Sequence, residues 1–366
     1  MKFSRILFLL ALTATAITAH AVDAYSPVVG FLRFDCPADS DTRVSVPFHP
    51  SPRWAGQLSV APANQGNGIV RLTFSGTPAF ATGELTTAPH FLLCRDAAGP
   101  EGRHFPITAH TSSSVDVRAS LSELTGLVQN GLVSVIPAWT IQALFPAATQ
   151  TTFHASTGKL ASGRGSELLL FNEVTTGAAV APSRRFFVTT TGWFEAGSGY
   201  SAAGSITIAP GQAFIIRHPA GVAATNFVAM NQVYGGLVKL PVRVTQGKKQ
   251  DTVIALPRPV PLTLAELDLG SVFEDSTDLT PVGRKDELHL YANSAPAPGT
   301  SGRNKAPAGI YFRHAGAWVR DSAPAFPNSD AVAIEPSTSL LIRKALGTNN
   351  TPLLWSNAPL YNVTAP

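Results

Sequence analysis

The chain has 366 residues, 45% hydrophobic and only 14% charged, so it is neither a disordered, charge-rich chain nor a long charged coiled coil. Thirty glycines and 29 prolines without a three-residue period exclude collagen and predict many turns between short elements. The formal net charge is +4, and +2 once Lys2 and Arg5 leave with the leader described next, a balance that gives no long-range field to recruit nucleic acid.

Residues 1–21 have a basic start at Lys2 and Arg5, an apolar stretch from Ile6 to Ala16, and a small-x-small end at Ala19-His20-Ala21. That is the layout of a cleavable secretory signal, cut after Ala21 or alternatively after Ala24. The expectation is a secreted protein of about 345 residues, extracellular, periplasmic or cell-surface associated, long enough for two or three domains with their own cores. No later window is apolar over 18 residues, so no transmembrane segment is expected in the mature chain. The only cysteines, Cys36 and Cys94, sit beside the strand-like runs Val28 to Phe34 and Phe91 to Leu93. In an oxidising compartment an even pair predicts a structural disulfide, and the absence of a CxxC argues against a redox site.

After Tyr25, short β-branched or aromatic runs alternate with Pro, Gly, Asn and Asp: Val44 to Phe48, Gly56 to Val60, Ile69 to Phe74, and Phe91 to Leu93. Asn67-Gly68 is a turn signal before Ile69. Asp96 to His110 reads as a hairpin bent at Gly99 to Gly102, with Phe105, Ile107 and Ala109 on one side. Leu121 to Leu127 suits one or two helical turns, Leu132 to Ile136 a strand, and Trp139 to Phe145 an apolar segment too short to classify.

From Gly163 the chain repeats itself. Gly163, Arg164, Glu167, Leu168, Leu170 and Phe171 recur as Gly283, Arg284, Glu287, Leu288, Leu290 and Tyr291, at an offset of 120. Phe186, Phe187 and Trp193 recur as Tyr311, Phe312 and Trp318, offset 125. Ile208, Pro210, Ile216, Arg217 and Gly221 recur as Ile334, Pro336, Ile342, Arg343 and Gly347, offset 126. Three ordered blocks drifting only by loop-sized insertions predict an internal duplication. The fold class is therefore mainly β, a multi-domain set of antiparallel β-sandwich or barrel-like units. The expected division is a signal peptide at 1–21, an N-terminal β domain at 22–149, a first repeat copy at 150–256, and a Pro-rich linker with the second copy at 257–366. The run Pro257 to Pro261 is stiff and extended, and Leu237 to Leu256 is placed with the first copy.

The strings VSVPFHP (Val44 to Pro50), EGRHFPITAH (Glu101 to His110), VIPAWTIQALF (Val135 to Phe145) and the Arg-x-x-Glu-Leu repeats resemble the landmarks of a family of uncharacterised secreted proteins from Verrucomicrobia and related bacteria. The resemblance spans most of the mature chain and implies a bacterial envelope or extracellular location. It carries no activity onto any residue.

No GxSxG, HExxH, EF-hand, Walker or GxGxxG motif is present, although a glycosidase needs only two unmarked carboxylates. His104 and His110 lack further ligands for zinc and read as turn and surface histidines, so no metal and no cofactor is expected. Alternatives stand for the repeated charges: Arg217 and Arg343 pair with Glu167 and Glu287 to close a sheet edge or are simply solvent-exposed, or they form a repeated polar site for a sugar or anion. Likewise Trp193 and Trp318, with Phe186 and Tyr311, either cover their own small cores or form platforms for sugar rings. The leading functional expectation is a secreted, non-catalytic structural or surface-associated protein. Alternatives are a module binding an extracellular glycan or envelope protein, and a hydrolase with an unmarked carboxylate pair. Self-association through sheet edges is a further expectation.

Overall fold

The computed structural model describes residues 28–96, 100–172, 174–197, 199–322, 324–336 and 338–363. The expected signal at 1–21, and Gly99 in the expected hairpin bend, lie outside the described residues. The chain is predominantly β and its strand pairs within the sheets are antiparallel.

The chain enters through β1 (Val29–Cys36), β2 (Asp41–Val44) and β3 (Phe48–His49). Along β1 the pattern has period two: Gly30, Leu32, Phe34 and Cys36 turn inward, while Val29, Phe31, Arg33 and Asp35 face out. Next come β4 (Trp54–Gln57), β5 (Ala63–Gly66), β6 (Ile69–Thr73), β7 (His90–Cys94), β8 (His104–His110), β9 (Ser114–Arg118) and β10 (Leu132–Pro137). These make one seven-stranded sheet in the order β4-β10-β7-β8-β9-β6-β5, with the short helix α1 (Glu84–Thr87) against it. A capping box at Ser120 and Glu123 starts the 3-10 turn Leu121–Leu124, the helical turn expected there.

The first repeat copy continues with β11 (Trp139–Thr140), α2 (Ile141–Leu144), β12 (Glu167–Leu170), β13 (Arg184–Thr189), β14 (Gly192–Glu195), β15 (Thr207–Ile208), β16 (Phe214–Arg217) and β17 (Thr225–Val233). The second runs β18 (Val238–Val242), β19 (Gln250–Ala255), β20 (Leu262–Thr263), β21 (Glu287–Leu290), β22 (Gly309–His314), β23 (Ala317–Arg320), β24 (Ala333–Ile334), β25 (Ser339–Lys344) and β26 (Leu353–Asn357). Sheet order makes the duplication explicit. One five-stranded sheet is β14-β13-β12-β16-β2 and the other is β23-β22-β21-β25-β19; β1 on β17 and β11 on β15 correspond to β18 on β26 and β20 on β24. Even the register is kept: Leu168 faces Phe186 and Ile216, as Leu288 faces Tyr311 and Ile342.

These pairings cut across the boundaries expected from sequence. β1 and β2 lie in the 22–149 block yet complete the first copy's sheets, and β4 to β10 form an insertion within that copy. Where the first copy carries the insertion, the second has only the connection around Pro257 to Pro261, whose Arg258 is fully buried and donates to the carbonyls of Tyr234, Gly236 and Asn357. Leu237 to Leu256 supplies β18 and β19, which pair with β26 and β25 and so belong to the second copy rather than the first.

Three cores follow. Phe34, Phe145, Phe186, Trp193 and Phe214 centre the first copy, Leu288, Tyr311, Trp318, Ile342 and Trp355 the second, and Leu72, Leu92, Val115 and Val133 the insertion. The expected disulfide is corrected here. Cys36 packs in the first copy's core and Cys94 in the insertion's, and both thiols are free. Parity and compartment cannot reveal that two strands serve different cores. Burial pushes the Cys36 thiol up to about 11 and the Cys94 thiol up to about 12, which disfavours the reactive thiolate.

The insertion is docked at Gly102. Its φ of +80° belongs to the left-handed region, and a Cβ there would lie 2.3 Å from the Leu237 carbonyl oxygen. The Lys239 amide donates to the Gly102 carbonyl at 3.0 Å.

Candidate functional site: the interface between the repeat copies

Arg217 closes β16 and Arg343 is the penultimate residue of β25, and each arginine lies in register between two acids. Arg217 has Asp41 on one neighbouring strand and Glu167 on the other; Arg343 has Asp251 and Glu287. The guanidinium groups choose the aspartates. Arg217 Nε and Nη2 donate to Asp41 at 2.7 Å each, and Arg343 Nε and Nη2 to Asp251 at 2.8 and 2.9 Å. Such fork-to-carboxylate pairs are geometrically specific. They push both arginines above their ordinary range.

The expected pairing with glutamate therefore holds only in part. Glu287 lies 3.7 Å from Arg343 Nη1, whereas Glu167 is held by Arg164 at 3.3 Å. Burial works to raise the Glu287 carboxyl, but the bond from His289 and the charges of Arg343 and Arg284 outweigh it and hold the carboxyl low.

The loop after β12 and the matching loop after β21 each cross to the other copy. From the first, the Ala179 amide donates to Asp251 Oδ2 at 2.6 Å, and the Gly177 carbonyl accepts from the Asp251 amide at 2.9 Å. From the second, the Asn304 amide donates to Asp41 Oδ2 at 2.8 Å, and the Gly302 carbonyl accepts from the Asp41 amide at 3.1 Å. Each copy thus caps the aspartate of the other's arginine pair. Leu169, Phe171 and Ile215 pack between the sheets with Val180 and Val253.

Between these crossing loops a cleft of about 450 Å³ remains, lined by Arg43, Arg217, Arg343 and Lys305 with the rings of Phe171 and Tyr291. Arg43 lies 3.5 Å over the Tyr291 ring and 5.7 Å from that of Phe171. Burial pulls Arg43 below its ordinary range, offset by Tyr291 and Asp41; burial also lowers Lys305, with Asp41 opposing and Arg43 reinforcing the shift. A second hollow of similar size lies beside His49 and Tyr234 at the insertion's joint. There burial, aided by the charge of Arg258, lowers His49 to about 4 and keeps it neutral.

The expected aromatic residues lie elsewhere. Trp193 and Trp318 are 2% and 5% exposed, Phe186 and Tyr311 are buried with them, and none offers a free face. Trp193 Nε1 donates to the Phe145 carbonyl at 2.8 Å, and each indole meets a phenylalanine edge-on, Phe153 at 4.9 Å and Phe273 at 5.0 Å. His104 packs against His49 at 5.2 Å, whereas His110 accepts from the Leu85 amide, so the two do not converge. Among the described residues no group of three or more His, Cys, Asp or Glu is placed to hold a metal.

Sequence reasoning missed a buried polar position that the copies solve differently. In the first, Ser166 Oγ and His218 Nδ1 are 2.8 Å apart, and His218 Nε2 is 2.8 Å from Thr225 Oγ1, which donates to the Thr152 carbonyl. In the second, Lys344 pairs with Asp286 and donates to the Val272 carbonyl. The signal was available: Phe153-x-x-Ser156-Thr157 recurs as Phe273-x-x-Ser276-Thr277 at the same offset of 120, so the repeat starts earlier than Gly163. Ser166 and His218 resemble a nucleophile and base, but both are sealed from solvent and burial lowers His218 to about 4.

No protein-family model matches the chain, and no curated protein or solved structure matches it.

Proposed function

We infer that this is a secreted, non-catalytic structural or surface-associated protein whose duplicated halves are fastened into one unit. The observation that supports it is the reciprocal capping of Asp41 by Asn304 and of Asp251 by Ala179. Of the polar residues that recur in both copies, Arg217 and Arg343 hold the two capped aspartates, while Arg164 pairs with Glu167, and Arg284 with Asp321 and Glu287, inside their own copies. A side chain locked in a bidentate pair is held in place and is poorly free to move protons. The test is the full-length protein in its source organism, assayed by protease accessibility on intact cells and by retention of the envelope fraction after a high-salt wash. Accessible, retained protein is the expected result. Protein confined to the cytoplasm, or saturable turnover in a screen of glycoside and ester substrates, overturns the reading.

A further inference from the structure

In a duplicated scaffold the informative positions are those where the copies disagree, and on the facing surfaces of the two sheets they gather in the cleft. Arg43 faces Ile215 across β2 and β16, and the corresponding place in the second copy, facing Leu341, is Val253. Leu169 of the first copy is His289 in the second. The crossing loop of the second copy adds Lys305.

Arg43 and Lys305 feel the charge of Asp41 but form no ion pair of their own among the described residues. Among the described residues no carboxylate lies within ion-pair distance of either; Asp41 and Asp251, the cleft's two acids, are occupied by Arg217 and Arg343. Arg43 Nη1 is buried with no hydrogen-bond partner. Lys305 Nζ donates to the carbonyls of Ala292 and Ser294 at 2.9 and 3.2 Å, leaving a third donor unused. Four basic side chains against two acidic ones leave the lining in positive excess, in a protein whose total is close to neutral. Holding partly buried cations without an anion is costly, so the arrangement is explained if an anion completes it. The remaining wall is apolar, from Phe171, Ile215, Ile310 and Leu341.

We propose that the cleft between the copies is a binding site for a small amphipathic carboxylate. The carboxylate meets the edge of the Arg43 guanidinium, whose face is taken by Tyr291, and the free donor of Lys305, while the apolar body lies along Phe171, Ile215 and Leu341. A volume of about 450 Å³ is in the range of small-molecule sites. The planar fork of an arginine matches a carboxylate, and the apolar wall favours a ligand with a hydrocarbon body over a compact, fully hydrated anion. The structural role inferred above does not depend on this site.

The experiment is isothermal titration of the full chain with benzoate and hexanoate, against benzyl alcohol, hexanol and inorganic phosphate. Saturable binding of at least one acid is expected, with the matching alcohol about tenfold or more weaker. Arg43→Gln is expected to weaken the acid by a similar factor, Arg43→Lys by less, and Lys305→Gln supplies a second variant if Arg43→Gln does not fold. Equal binding of acid and alcohol, undiminished acid binding in the folded Arg43→Gln or Lys305→Gln protein, preference for phosphate, or no binding of either acid overturns the proposal.

Discussion

The second copy's buried ion pair makes a quantitative prediction. Lys344 and Asp286 are 7% and 1% exposed, and the carboxylate also accepts the amides of Glu274 and Ala345, each at 2.7 Å. Asp286→Asn leaves an ammonium with no anion in a sealed site, and breaking a buried pair from one side costs about 3–5 kcal/mol. Lys344→Met strands the carboxylate, but its two amide donors remain, so its cost is smaller, about 2–4 kcal/mol. The double variant removes both charges together and should cost far less than the sum, with a coupling of about 2 kcal/mol or more. The first copy shows that the fold accepts a neutral solution, since Ser166 and His218 occupy the matching place. The assay is urea unfolding of the four proteins, with hydrogen exchange along β25 to confine the effect to the second copy. Additive losses, or a cost below about 1 kcal/mol for Asp286→Asn, refute the reasoning.

Three further outcomes are expected. His49 and His218 sit at about 4 instead of 6.5 because burial disfavours the imidazolium, so the unfolded chain takes up protons between these values that the folded chain refuses. Their stabilisation is complete above pH 6.5 and is lost at about 1.4 kcal/mol per pH unit for each histidine as pH falls towards 4; urea midpoints from pH 7 to 4 should fall, and a midpoint that does not move refutes this. Cys36 and Cys94 should resist Ellman's reagent in the native protein and both react in denaturant without reductant; a mass showing the pair oxidised would contradict the separate cores. Gly102→Ala forces a side chain into the Leu237 carbonyl at a positive φ, and should cost about 2 kcal/mol or more with faster exchange of the Lys239 amide, whereas unchanged exchange would show that the joint does not depend on this glycine.

Much of the repeat was legible in sequence because its marks are local. Glu167 to Phe171 and Glu287 to Tyr291 are short strand-forming runs of matching pattern, and Arg217 and Arg343 recur at a constant offset. What was not legible depends on distant pairing. Asp41 and Arg217 are 176 positions apart, with the insertion between them, so neither β2 nor the true partner of the arginine could be assigned from spacing. The glutamates looked like the partners because they recur beside the arginines' strands; Asp41 and Asp251 escaped notice because they stand at an offset of 210, outside the recognised blocks. The buried tryptophans followed the alternative in which each covers its own core, since an indole packed on Phe153 or Phe273 gains more than one left in water.

The same distinction separates fastening from recognition. A residue conserved between the copies, such as Arg217 with Arg343, must satisfy a geometric demand common to both, and reciprocal loop crossing is such a demand. A residue present once answers to something the symmetry does not require. Had Arg43 served only to join the copies, an aliphatic side chain would do, as Val253 does at the matching place while packing with Phe171 and Ile215. An arginine there carries a desolvation cost that the cation–π contact with Tyr291 offsets by only about 0.5–2 kcal/mol. Arg43→Val therefore separates the roles: if the side chain is structural, stability falls; if it is kept for an anion, stability holds or rises while carboxylate binding is lost.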